Sequence, residues 1–263
     1  MISVTSAQLD AWLALFLWPF VRILSMLATD PIFGNRGVPF RIKIGLALLI
    51  TMVLAPVLPP MPPVSPGSAA GLLILMQQVV IGIAMGFAMR IVFAAVEMAG
   101  HLIGLQMGLG FATLFDPKSS AQVTVMAQFM SLVTMLMLLT LNGHLMVINA
   151  LAESFQSLPI SVQPPSAQGW RTLAEWGAEI FRAGVLLAMP VIAALLITNL
   201  AIGIMTRAAP QLNIFAVGFP ITLMVGFLAL YLTLPLFVPL FERMLHDGLA
   251  ATMNVLRTAQ PTQ

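Results

Sequence analysis

With 263 residues, 60% of them hydrophobic and only 8% charged, this chain departs from soluble domains, in which about 25% of side chains carry charge. Its net charge of +2 comes from 11 basic and 9 acidic residues with no Lys/Arg cluster to neutralise phosphates, which excludes nucleic acid as a partner. Cysteine is absent, so disulfides, thiolate metal sites and a cysteine nucleophile are excluded too.

The first apolar run covers 11–28. No basic segment precedes it, and it leads into Thr29-Asp30-Pro31 rather than a small-residue cleavage site, so it reads as a retained helix. Arg22 lies inside the run, where snorkelling or pairing with a partner subunit is expected of a lone cation. A turn region from Pro31 to Pro39 follows, then a second run over 42–58. From Pro59 to Gly67 the prolines remove backbone donors and clash with any preceding turn, which makes this a stiff, extended connector.

The third run covers 70–96. Arg90, Glu97 and His101 are spaced seven and four apart, so one helix would stack them on one face. Two readings stand: a proton or ion relay, or a buried Arg90–Glu97 pair with His101 as hydrogen-bonding glue. Gly100, Gly104 and Gly108 recur every fourth residue, and Gly82 and Gly86 make a similar pair upstream. On a helix each set forms a bare stripe that another backbone can approach closely. Beyond Gly110 the stripe ends, and Asp116-Pro117 forces a turn. The apolar, glycine-rich stretch between reads as a re-entrant loop, which survives at membrane depth only when buried in protein or lining a cavity.

The fourth run spans 121–141 with a continuation to about 152, interrupted at Asn142-Gly143-His144 by a predicted kink. Met126, Met130, Met135 and Met137 crowd it; core or lipid packing is the plain reading, and pore sealing requires that they face a channel. A proline-rich loop runs from Leu158 to Gln168, a fifth run over 179–205, a short loop from Arg207 to Leu212, and a sixth run over 213–241. From Arg257 the composition suggests a polar frayed tail.

No charged side chain lies between Lys118 and Glu153, or between Arg207 and Glu242. As helix each stretch would extend roughly 50 Å, beyond the ~30 Å of bilayer hydrocarbon. The expected fold is all-α: a polytopic membrane protein of long kinked helices and helical hairpins, with no soluble module attached. Loop Lys/Arg counts place Arg36, Arg41, Lys43, Lys118 and Arg207 on the cytoplasmic side, with both termini outside. The three histidines have no metal-ligand spacing, and no P-loop, dinucleotide fingerprint or nucleophile elbow occurs, so neither cofactor nor enzymatic activity is expected.

Short segments in order from about residue 10 to 245 carry a family likeness. They include Trp18-Pro19-Phe20-Val21-Arg22, Val38-Pro39-Phe40-Arg41-Ile42-Lys43, Glu97-Met98-Ala99-Gly100 and Gln106-Met107-Gly108. Pro31-Ile32-Phe33, Asp116-Pro117, Asn142-Gly143-His144, Ser154-Phe155 with Leu158-Pro159 and, most specific, Pro210 to Pro220 complete the set. Together they resemble the FliR family of flagellar biosynthetic proteins, which includes virulence type III secretion counterparts. The resemblance implies one family domain over 1–263. A part resembling a P subunit covers about 1–150, one resembling a Q subunit about 151–250, and a tail 251–263.

It further implies a subunit of the type III protein export gate in the bacterial inner membrane and flagellar basal body, joined to P- and Q-type subunits (FliP, FliQ) in a helical ring. That assembly is raised towards the periplasm, with the FlhB and FlhA export components nearby and exported flagellar proteins in transit. The family's channel plug maps onto Gln106, Met107, Gly108, Leu109, Gly110, Phe111, Leu114 and Phe115, where apolar bulk would hold a pore closed by dewetting. Gly82, Gly86, Gly100, Gly104, Asn213, Gly218 and Pro220 are the expected subunit-packing positions. Asn213 to Pro220 is also the expected break in the last helical hairpin. A proton-coupled secondary transporter using Arg90, Glu97 and His101 remains the alternative, although no internal repeat supports it.

Overall fold

A computed structural model describes residues 6–35, 37–111, 124–211 and 213–260. Among these residues the chain forms eight α-helices and two short 3-10 turns, with no strand. They are α1 (Ser6–Thr29), α2 (Phe40–Leu54), α3 (Ala69–Gln106), α4 (Val125–Thr140), α5 (Gly143–Ser157), α6 (Ala167–Trp176), α7 (Glu179–Ala208) and α8 (Ile214–Thr258). The 3-10 turns are Ala55–Val57 and Leu109–Phe111. Five helical stretches are long and apolar enough to cross a membrane: Gln8–Thr29, Phe40–Val57, Ala69–Gln106, Ala167–Ala208 and Ala216–Thr258. The broken pair α4 and α5 makes a sixth if counted as one span.

Helix boundaries depart from the apolar runs where helix and hydropathy obey different rules. The third run ends just before Glu97, yet α3 continues through Glu97 and His101 to Gln106. Likewise α8 extends past Glu242 and Arg243 to Thr258, because charged residues are good helix formers even where they are poor lipid ligands. The fourth run does break where predicted. Asn142 adopts a left-handed conformation (φ 54°, ψ 26°), so the asparagine, not Gly143, carries the unusual backbone, and its carbonyl accepts the N–H of Leu145 at 2.9 Å.

The chain divides into two discontinuous units. The first comprises residues 1–91, 142–177 and 245–263; the second comprises 92–141 and 178–244. In the first, α1 lies on the early part of α3. Gly82 meets α1 so closely that a Cβ would collide with Ser25 and the Arg22 carbonyl, and at Gly86 one would come within 2.8 Å of the Met26 carbonyl. Trp18, Met26, Leu27 and Phe155 are buried there. The connector is indeed non-helical from Leu58 to Gly67, with residues 61–65 running beside Asp10, Ala11 and Ala14.

Residues 257–260 differ from the frayed tail expected. Ala259 is buried, its carbonyl accepts the Ser166 N–H at 2.8 Å, and Gln260 Nε2 donates to the Ser157 carbonyl at 2.5 Å. Gly169 provides the space for Ala259 and Val255. Polar composition was a poor guide because the polar groups are used in hydrogen bonds.

Arg22 also departs from expectation. It neither snorkels nor awaits a partner, being fully buried within the first unit. Its Nε donates to Gln78 Oε1 at 2.7 Å, Nη1 to the Ser154 carbonyl at 3.1 Å, and Nη2 to the Leu158 carbonyl at 2.9 Å. The guanidinium lies 4.4 Å from the centroid of the Phe155 ring. One side chain thus ties α1 to α3 and to the end of α5.

In the second unit the later part of α3 is the central element. Phe93 meets Phe241 of α8 edge-on at 6.2 Å, and Phe237 stacks beside Phe241. The outer faces of α7 and α8 are apolar and uncovered; Ile197 is 70% exposed and Leu232 65%. Such area is too apolar for water, so it contacts lipid or protein.

Candidate functional site

The predicted plug segment begins at a junction in the second unit where α3 ends. Helix α3 stops because Gly108 turns left-handed (φ 81°), a conformation that glycine adopts without steric cost. The Gly108 N–H bonds back to the Leu105 carbonyl at 3.1 Å, and the Met107 N–H to that of Ile103 at 2.9 Å. A 3-10 turn over Leu109–Phe111 follows. Gln106, Gly108, Leu109 and Gly110 are half-buried. Leu114 and Phe115 of the predicted plug, with the Asp116-Pro117 turn, lie outside the described residues.

Met107 is the fixed point of this junction. It is fully buried, its carbonyl accepts the Thr222 hydroxyl at 3.3 Å, and its side chain lies on the bare backbone of Gly226. A Cβ at Gly226 would come within 2.7 Å of Met107 Cγ. Of the residues assigned to the plug, Met107 therefore serves as an anchor on α8. Thr222 and Gly226 were not singled out from sequence; a lone glycine in an apolar helix gives no sign of the residue that needs it.

The glycine stripe receives its neighbour from the same chain. At Gly100 a Cβ would collide with the Ala127 backbone, its nitrogen at 2.9 Å, and at Gly104 one would approach Met126 Cβ to 3.3 Å, so the start of α4 occupies this groove. Thr124 caps α4 by accepting the Ala127 N–H at 3.3 Å, and its hydroxyl also meets His101 Nδ1 at 3.3 Å. His101 Nε2 in turn lies 4.0 Å from Glu97, an i, i+4 pair on α3. Arg90 is exposed and has no carboxylate within 4 Å among the described residues.

Asn213 caps α8: its carbonyl accepts the N–H groups of Ala216 and Val217 at 3.0 and 3.1 Å, and its Oδ1 meets the Ala216 N–H at 3.3 Å. Gly218 is buried and Pro220 exposed, both inside α8, so the chain interruption lies before Asn213 rather than at these two residues. An apolar cavity of about 280 Å³ lies among α3, α4, α7 and α8, bounded by Ile103, Met130, Pro190, Leu230 and Phe237. No titratable side chain lines it. Among the described residues no three His, Cys, Asp or Glu side chains gather as metal ligands.

Long apolar helices packed through close glycine contacts define an all-α polytopic membrane protein. A family model described as bacterial export proteins, family 1, matches residues 13–248. The chain belongs to that family, whose members are structural components of the export apparatus rather than enzymes. It is 46% identical over 256 residues to the flagellar biosynthetic protein FliR of Pectobacterium carotovorum subsp. carotovorum, covering 97% of this chain and 98% of the relative. Identity to the Escherichia coli (strain K12) protein of the same name is 44% over 247 residues, 94% of each chain. Against that of Bacillus subtilis (strain 168) it is 31% over 219 residues, 82% of this chain and 84% of the relative.

Proposed function

We propose that this chain is the structural and gating subunit of the flagellar type III protein export gate, and that the segment from Gly108 to Phe115 closes the channel. The observation carrying the gating reading is the junction itself: Met107 is held by Thr222 and Gly226, and the backbone reverses immediately afterwards at Gly108. A closing segment needs a fixed root and a pliant start, and this arrangement supplies both. Phe111, Leu114 and Phe115 bring apolar bulk enough to keep water out of a narrow pore.

The uncovered apolar faces of α7 and α8 support docking onto P- and Q-type subunits (FliP, FliQ) in a ring. In this reading residues 1–150 take a P-like place, 151–250 a Q-like one, and the exposed Pro220 lies at a subunit contact. The gate sits in the inner membrane, raised towards the periplasm, beside FlhA and FlhB, and passes unfolded flagellar proteins. The exposure of Arg90 in the single chain, with no carboxylate within 4 Å among the described residues, supports the gate reading over a solute transporter.

Deletion of Leu109 to Phe115, leaving Met107 and Gly108 in place, tests the plug. The purified gate should assemble with its full complement of subunits and conduct small ions in planar bilayers. A deleted gate as tight as the intact one would overturn the assignment.

A further inference from the structure

Asp30 follows α1 and opens the turn that leads to α2. Its Oδ1 accepts the N–H groups of Ile32 at 2.8 Å and Phe33 at 3.3 Å. Its own N–H bonds the Met26 carbonyl at 2.8 Å, and its carbonyl accepts the Gly34 N–H at 2.7 Å. The residue is 1% exposed, and Oδ2 is buried with no hydrogen-bond partner among the described residues. Helix α3 closes the other side, where a Cβ at Gly86 would come within 2.9 Å of the Asp30 nitrogen.

The charged groups on the surrounding elements are engaged elsewhere or directed outward. Arg22 on α1 is bonded to Gln78, Ser154 and Leu158; on α2, Lys43 Nζ donates to the Asn35 carbonyl at 3.3 Å and Arg41 is exposed; on α3, Arg90 is exposed. None forms an ion pair with the carboxyl among the described residues, and Arg36 of the same turn lies outside them. An ionised Asp30 would be a buried anion with one oxygen unsolvated, which is costly. The uncharged acid fits the same space with one oxygen still accepting from the turn.

We propose that Asp30 is a proton-binding site at the α1–α2 turn, which holds the folded chain more firmly in its protonated form than in its ionised form. Burial pushes its pKa up from 3.8 to about 6, against the opposing pull of the Ile32 and Phe33 N–H groups. The folded chain then binds the proton more tightly than the unfolded chain. Its stabilising effect is complete below about 3.8 and is lost as pH rises to about 6, above which the curve is flat.

The test compares the full-length purified protein with D30N, whose amide oxygen can still accept the Ile32 and Phe33 N–H groups. Expected for the wild type is a fall of several degrees in melting temperature between about pH 4 and pH 7, with D30N flat over that range. The wild-type minus D30N infrared spectrum should contain a protonated-carboxyl band at about pH 5 that vanishes by about pH 8. A shared pH curve, or a carboxylate band already present at about pH 5, would overturn the proposal. Should D30N fail to fold, carboxyl-labelled aspartate NMR of the wild type decides it. The Asp30 resonance must then titrate near pH 6, and an Asp30 resonance titrating near 3.8 sinks the idea.

Discussion

The guanidinium of Arg22 donates to the main-chain oxygen of Leu158 at 2.9 Å, across 136 positions of sequence. The Ser154 carbonyl lies in the last turn of α5 and also accepts the Leu158 N–H at 2.9 Å, while Leu158 caps the helix; both oxygens lie at its C-terminal end, which carries partial negative charge. A cation buried among neutral oxygens is thereby stabilised without a carboxylate, and an aromatic face completes its surroundings.

Replacing Arg22 by Met should cost about 2–4 kcal/mol, because several buried acceptors lose their donor at once. Arg22→Lys should fall between Met and the wild type, since an ammonium cannot reproduce the planar fork. Thermal unfolding of the purified protein, with hydrogen exchange at the end of α5, measures both. Equal stability of R22M and wild type would mean that the network contributes nothing.

The Met107–Gly226 contact invites a double-mutant cycle. Gly226→Ala alone should destabilise by about 1–3 kcal/mol by pushing the Met107 side chain from its seat. Combined with Met107→Ala, which vacates the space, the added cost should shrink, giving a coupling energy of at least about 0.5 kcal/mol. Strict additivity would show that the two residues do not touch.

Asn142 can be tested through its backbone alone. Asn142→Gly should be close to neutral, whereas Asn142→Val should lose about 1–2 kcal/mol because a β-branched side chain crowds the left-handed region. If valine is tolerated as well as glycine, the break between α4 and α5 does not depend on that conformation.

Much of the helical layout was legible because its signals are local. Prolines from 59 to 66 keep the connector between the Ala55–Val57 turn and α3 out of helix, and Asn142-Gly143 marks the break between α4 and α5. Helix lengths were less legible, since hydropathy marks where lipid is tolerated rather than where the hydrogen-bond ladder ends; Glu97 and Glu242 mislead in this way. The partners of Arg22, Gly100 and Gly226 were hidden for another reason. Each lies on a different helix, and periodicity on one helix specifies a face without naming what meets it. At Gly100 and Gly104 the bare face was correctly placed, but its neighbour is α4 of this same chain.

The staples formed by Ala259 and Gln260 bear on the order in which the polypeptide can mature. Because the first unit joins residues 142–177 to residues 245–263, a ribosome-bound nascent chain holding α1 to α6 still lacks one wall of that unit. Closure must await the last helical turns of α8, so early helices spend translation unsealed and exposed to chaperones or to wrong neighbours. A premature stop just before Leu245 would therefore be felt around α1 and α2, far away in sequence.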